Sequence, residues 1–147
     1  MRRRKPNLFI CGAPRAGTTT LYRALRQHPD VCMSQRKETG VFLENYDKGL
    51  EWLAENYLTH YEDESVVGEA TTGHMQHPSS ARRMAEAIPE TRLIFILRDP
   101  VERIFSHYRF HRQSGRLGWR TTFPCSFGTR RASGAEFRLT MDATISI

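Results

Sequence analysis

Leu93-Ile94-Phe95-Ile96-Leu97 is the longest unbroken apolar run in the chain, and it constrains the architecture most. It falls well short of the roughly 18 residues that cross a bilayer. A strand apolar at every position, not at alternate ones, must be covered on both faces. The run therefore predicts a strand over Thr91 to Leu97 at the centre of a parallel sheet, with helices on either side.

The rest of the chain repeats the strand-then-helix pattern. Leu8-Phe9-Ile10-Cys11 is a short apolar run ended by Gly12, and Leu21, Ala24, Leu25 and His28 then recur at helical spacing until Pro29. Val31-Cys32-Met33 predicts a second strand, followed by a helix with a buried stripe of Leu50, Leu53, Tyr57 and Leu58. Ser65 to Glu69 predicts a third, followed by a helix marked by Ala81, Met84, Ala85 and Ile88. After the fourth strand, Asp99 suits an N-cap, Pro100 a first-turn position and Glu102 the capping-box partner, with Val101, Ile104, Phe105 and Tyr108 as the buried face. Four such units predict an α/β fold with an open, mostly parallel sheet, whose ligands bind at the carboxyl ends of the strands.

Charge narrows the class of ligand. The 147 residues carry a net charge of +6, and 19 of the 22 basic side chains are Arg. Nine acidic residues lie between Glu38 and Glu69 against one Lys48, whereas Arg103 to Ala135 contains none. A polyanion running along the surface would be repelled by the acidic stretch, so a localised anion site is expected and nucleic acid is not. Cys11, Cys32 and Cys125 are far apart, odd in number and without CxxC spacing, which indicates neither a disulfide framework nor a zinc knuckle. His107 and His111, and His74 and His77, lack the companion ligands of a zinc site, and no metal is expected. Arg2-Arg3-Arg4-Lys5 is followed by too short an apolar segment for a signal peptide. A soluble, cytoplasmic protein is the expectation.

Between the first strand and its helix lies Cys11-Gly12-Ala13-Pro14-Arg15-Ala16-Gly17-Thr18-Thr19-Thr20. Glycines there let successive N–H groups converge, and the helix N-terminus adds partial positive charge, so phosphate or sulfate fits. Gly12 and Gly17 have Walker A spacing, but position 18 is Thr where a nucleotide kinase or NTPase needs Lys.

Residues 12–21 match, position for position, the 5′-phosphosulfate loop G-x-x-K/R-x-G-T-[ST]-x-L. The chain thus resembles the sulfotransferases that use 3′-phosphoadenylyl sulfate (PAPS), particularly the heparan sulfate and bacterial branch. The resemblance implies that Arg15, Ala16, Gly17, Thr18 and Thr19 hold the 5′-phosphosulfate, within a P-loop-like sulfotransferase fold. Leu97-Arg98-Asp99-Pro100 to Tyr108 is similar to the family's 3′-phosphate motif, an Arg at a strand end and a Ser eight residues on, which implies that Arg98 and Ser106 bind there. Ser34-Gln35-Arg36-Lys37-Glu38 to Phe42 is similar to the K-E-x-x-[FY]-F segment, which implies Glu38 as catalytic base beside Lys37 and Arg15. Gly40 stands where His is often found, and Gly68-Glu69-Ala70-Thr71-Thr72 resembles a further segment, G-E-K/A-[ST]-P, without its Lys and Pro.

The resemblance covers residues 8 to about 117 and implies sulfuryl transfer from PAPS to a hydroxyl or amine of a small molecule or carbohydrate, leaving adenosine 3′,5′-bisphosphate. After about Gly115 the periodicity decays. Residues 1–117 are therefore expected to be the N-terminal part of such a domain and 118–147 an irregular tail, as a frameshift near Gly118 would leave. A P-loop kinase or NTPase, and a remnant that binds nucleotide without turnover, are the competing readings.

Overall fold

A computed structural model describes residues 5–116. The strands are β1 (Leu8–Gly12), β2 (Val31–Met33), β3 (Val66–Ala70) and β4 (Arg92–Phe95), and the helices are α1 (Thr18–Leu25), α2 (Gly49–Tyr57), α3 (Pro78–Ala87) and α4 (Pro100–Gln113). The four strands form one open parallel sheet in the order β2-β3-β1-β4. This is the expected α/β architecture. The expected tail, residues 118–147 with Cys125, lies outside the described residues.

The centre of the sheet is β1, not β4. β1 pairs with β3 on one side and β4 on the other, and every one of its residues is buried. Its side chains alternate as a pleat requires. Phe9 and Cys11 join Cys32, Phe42, Leu53, Val67, Met84 and Ile88 in one core. Leu8 and Ile10 join Tyr22, Met33 and Ala70 in the other.

β4, expected at the centre, has a partner on one side only among the described residues, and Leu93, Phe95 and Leu97 are exposed. The regular strand also ends at Phe95, although Ile96 continues the pairing by exchanging main-chain hydrogen bonds with Gly12 and Ala13. The apolar run correctly marks a strand, but among the described residues it is an edge strand and not a central one.

α4 also departs from expectation. Asp99 does cap it, accepting a hydrogen bond from the Glu102 amide at 3.0 Å, but Val101 and Phe105 are exposed and the helix has no fully buried residue. The Glu102 carboxylate takes the Nε of Arg98 at 3.0 Å in place of the reciprocal capping-box bond. In α1 the buried anchor is Tyr22, whose hydroxyl donates to the Ser34 carbonyl beneath the sheet edge.

Connections leaving β1 run toward β2 and those leaving β3 run toward β4. Adjacent strands whose connections diverge leave a crevice at their carboxyl ends. The loop after β1, the segment after β2, the turn after β3 and the start of α4 all lie at that edge.

Candidate anion and transfer site

The loop after β1 owes its shape to two glycines. Gly12 lies close under the turn after β3: a Cβ there would come within 3.0 Å of Met75 Cβ and Sδ. Gly17 caps α1 with φ 104°, a left-handed value that favours glycine, and a Cβ on it would meet nothing within 4 Å. The start of α1 therefore faces open space. Neither a capping side chain nor an acidic residue occupies its first turn, which leaves the positive end of the helix dipole uncompensated.

Two cations flank this loop on different sides. Lys37 reaches the helix start and donates from Nζ to Thr18 Oγ1 at 3.1 Å and to Thr19 Oγ1 at 3.0 Å. Burial pushes its ammonium below the ordinary lysine range, partly opposed by Glu38 and Glu69. Arg15, in the left-handed region at φ 67°, turns the other way. Its Nε donates to Ser106 Oγ at 3.3 Å, and its guanidinium stacks over Phe110 at 4.7 Å.

Arg98 completes that side. Its Nη1 lies 3.5 Å from the Arg15 carbonyl oxygen, while its Nε is held by Glu102. Arg15, Arg98, Ser106, Arg109 and Phe110, with the Glu102 carboxylate, line one cleft of about 560 Å³. Three guanidinium groups and a hydroxyl around one cleft suit a phosphate, which takes forked hydrogen bonds from Arg. Arg109 and Phe110 were not singled out by sequence. Their one-turn offset from Ser106 on α4 is the signal that could have found them.

Glu38 sits on the opposite side, beyond Lys37. Its amide donates to the Ala70 carbonyl at 2.8 Å, and its carboxylate accepts from Thr72 N at 2.9 Å and Thr72 Oγ1 at 3.2 Å. Lys37 Nζ lies 3.8 Å from Glu38 Oε1. The carboxylate is half exposed, so a substrate group could reach it. Ala16, Gly17, Thr18 and Thr19 thus lie between an Arg-lined cleft on one side and a Lys-Glu pair on the other.

Underneath is a residue to which sequence reading gave no role. Glu69 is fully buried, and its Oε1 accepts from Thr39 Oγ1 at 2.8 Å, Thr39 N at 3.3 Å and Thr71 Oγ1. Burial raises its carboxyl to about 7, against the pull of these donors. Buried His74, between the Phe9 and Phe42 rings, is lowered to about 4 by desolvation. The warning in the sequence was a Glu inside the otherwise apolar Val66-Val67-Gly68-Glu69-Ala70, since a carboxylate enters a core only with partners.

Against known proteins, the family model for the sulfotransferase domain matches residues 5–143, past the point where the periodicity fades. The chain belongs to the sulfotransferase domain family. It is 36% identical over 107 residues to the membrane-associated sulfotransferase kil1 of Dictyostelium discoideum, covering 71% of this chain and 23% of that protein. It is 35% identical over 107 residues to mouse heparan sulfate glucosamine 3-O-sulfotransferase 6, covering 73% and 31%. A crystal structure of a sulfotransferase from Alicyclobacillus acidocaldarius superposes with a TM-score of 0.69 at 30% identity, over 78% of this chain and 53% of that one. The chain therefore spans about half of this solved relative and less than a third of these curated ones.

Proposed function

We propose that this chain carries the donor-binding and proton-accepting part of a PAPS-dependent sulfotransferase. The observation that carries the reading is the shared placement of Arg15, Arg98 and Ser106 around one cleft, with Lys37 and Glu38 across the loop from it. A donor with phosphate at one end and phosphosulfate at the other needs cationic grips at two separated places, and the site offers them. Cleft volume, basic lining and the open start of α1 all fit that molecule as substrate.

In the reaction, an acceptor hydroxyl or amine attacks sulfur, and the bond from sulfur to the bridging phosphate oxygen breaks. The electron pair goes to adenosine 3′,5′-bisphosphate. Glu38 takes the acceptor proton, held by its two contacts to Thr72. Lys37, at the threonines of the helix start, offsets charge on the departing phosphate, and Arg15 adds a second cation from the cleft side. Arg98 and Ser106 hold the 3′-phosphate. Because the transferred group carries less charge than a phosphoryl group, these cations serve without a bridging metal.

The acceptor is a small molecule or carbohydrate. One relative's name specifies glucosamine, which supports a sugar hydroxyl or amine as the first class to try. We place the protein in a reducing compartment such as the cytoplasm because Cys11 and Cys32 are both buried and unbridged. No helix among the described residues is long and apolar enough to cross a membrane.

Thermal-shift titration of the full chain tests donor binding. Stabilisation by adenosine 3′,5′-bisphosphate and not by ATP with magnesium is expected, and the reverse selectivity would instead support a nucleotide kinase. Turnover of PAPS against hydroxyl and amine acceptors tests transfer. Binding without turnover would leave a nucleotide-binding remnant in place of an enzyme.

A further inference from the structure

We propose that Glu69 is a positioning residue that aims the Glu38 carboxylate, acting through Thr39 and Thr71. The inference rests on Glu38 being the base, as argued above, and adds a residue that works without touching substrate.

Three observations carry it. Glu38 lies on a segment whose backbone would not hold its shape unaided, since its φ of 58° is left-handed and unfavourable for a side chain with a Cβ. The residue after Glu38 is Thr39, which gives both its amide and its hydroxyl to Glu69 Oε1. The residue before Thr72, the anchor of the Glu38 carboxylate, is Thr71, whose hydroxyl also donates to Glu69 Oε1. One buried oxygen thus ties together the base-bearing segment and the turn that grips the base. Thr71 Oγ1 closes the ring by accepting from the Gly40 amide at 3.3 Å.

The fold alone gives no reason for a carboxylate here. An apolar side chain would fill this position, whose register partner is Phe9, without the desolvation cost of a buried acid. What an apolar side chain could not do is accept three hydrogen bonds from two loops at once.

The test uses the full chain with Glu69→Leu and Glu38→Gln, singly and together, because Leu fills similar space and cannot accept a hydrogen bond, whereas Gln would keep the accepting oxygen. Amide hydrogen exchange is read at Thr72, whose N–H the Glu38 carboxylate holds, and at Ile10 in the central strand. In Glu69→Leu, exchange at Thr72 is expected to rise about tenfold with Ile10 unchanged. Turnover is expected to show kcat falling about tenfold, with KM for PAPS within about twofold, because a misaimed base slows transfer without loosening the donor. In the Glu38→Gln background that loss of kcat should vanish, since there is no base left to aim. If Glu69→Leu does not fold, Thr39→Val keeps the side-chain shape, removes one donor and is measured the same way.

Unchanged exchange at Thr72, equal acceleration at Thr72 and Ile10, or an undiminished loss of kcat in the Glu38→Gln background would each overturn the inference. A chain that never turns over PAPS would overturn the proposed function instead, while the exchange measurement still decides whether Glu69 holds the Glu38 carboxylate.

Discussion

Arg15 Nε donates to Ser106 Oγ across 91 residues of sequence, joining the loop after the central strand to the middle of α4. With Arg98 beside them, these residues form a basic cleft from parts of the chain that share no local signal. The cleft is where the first expected outcome lies.

Arg98→Ala should weaken binding of adenosine 3′,5′-bisphosphate about 10- to 100-fold, because a charged hydrogen bond to phosphate contributes roughly 1.5–3 kcal/mol. Calorimetric titration measures it. An affinity within a factor of two of the parent would remove Arg98 from the 3′-phosphate site.

Glu38→Gln should keep donor affinity and lower kcat by about 10²–10⁴, the usual contribution of a positioned base. The check is single-turnover transfer to a fixed acceptor, alongside the binding titration. Equal rates in parent and variant would reject Glu38 as base.

Lys37→Met should lower kcat by about 10²–10³, the usual loss when one well-aimed donor to developing charge is removed. Parallel assays with an activated donor, whose leaving group needs less charge stabilisation, should shrink the deficit. A deficit independent of leaving group would assign Lys37 to ground-state binding.

Buried Glu69 and His74 impose opposite pH slopes on stability. The carboxyl of Glu69 is raised to about 7 in the fold, so the native state holds the proton more tightly than the unfolded chain, and its contribution to stability falls as pH rises from about 4.5 to 7. His74 is lowered to about 4, so between about 4 and 6.5 only the unfolded chain takes its proton, and stability rises with pH. The two slopes nearly cancel over their shared range. His74→Phe should therefore gain about 2 kcal/mol over the parent at pH 5 relative to pH 7, read as the difference between denaturant midpoints at the two pH values. A pH-independent difference would show that His74 is not buried neutral.

Tyr22→Phe should cost about 1 kcal/mol through loss of the buried hydrogen bond to the Ser34 carbonyl. Chemical denaturation reports it directly.

Much of this arrangement is legible in the sequence, and the exceptions share a cause. Local signals located Gly12, Gly17, Pro100 and the Asp99 cap, because a turn, a helix start or a first-turn proline is decided by the residues present. The four strand-helix units were readable for the same reason. Strand order was not: the run at 93–97 reports burial on both faces, yet β1 holds the centre because Phe9 and Ile10 are covered by elements distant in sequence. Nor could sequence show which way Arg15 points. Motif position put it with the 5′-phosphosulfate, whereas its side chain lies against Ser106 and Phe110, and Lys37 stands at Thr18 and Thr19. The role of Glu69 depended on two loops meeting, which no spacing within Val66–Ala70 encodes.

α4 has no fully buried residue, whereas β1 is the most enclosed strand in the sheet. A dianion held against the joined Arg15 and Ser106 would add a second tie between that loop and the helix, so occupancy should register as resistance of the helix to proteolytic nicking well before any product is formed. The donor would then act as a clamp on its own binding helix as well as a reactant.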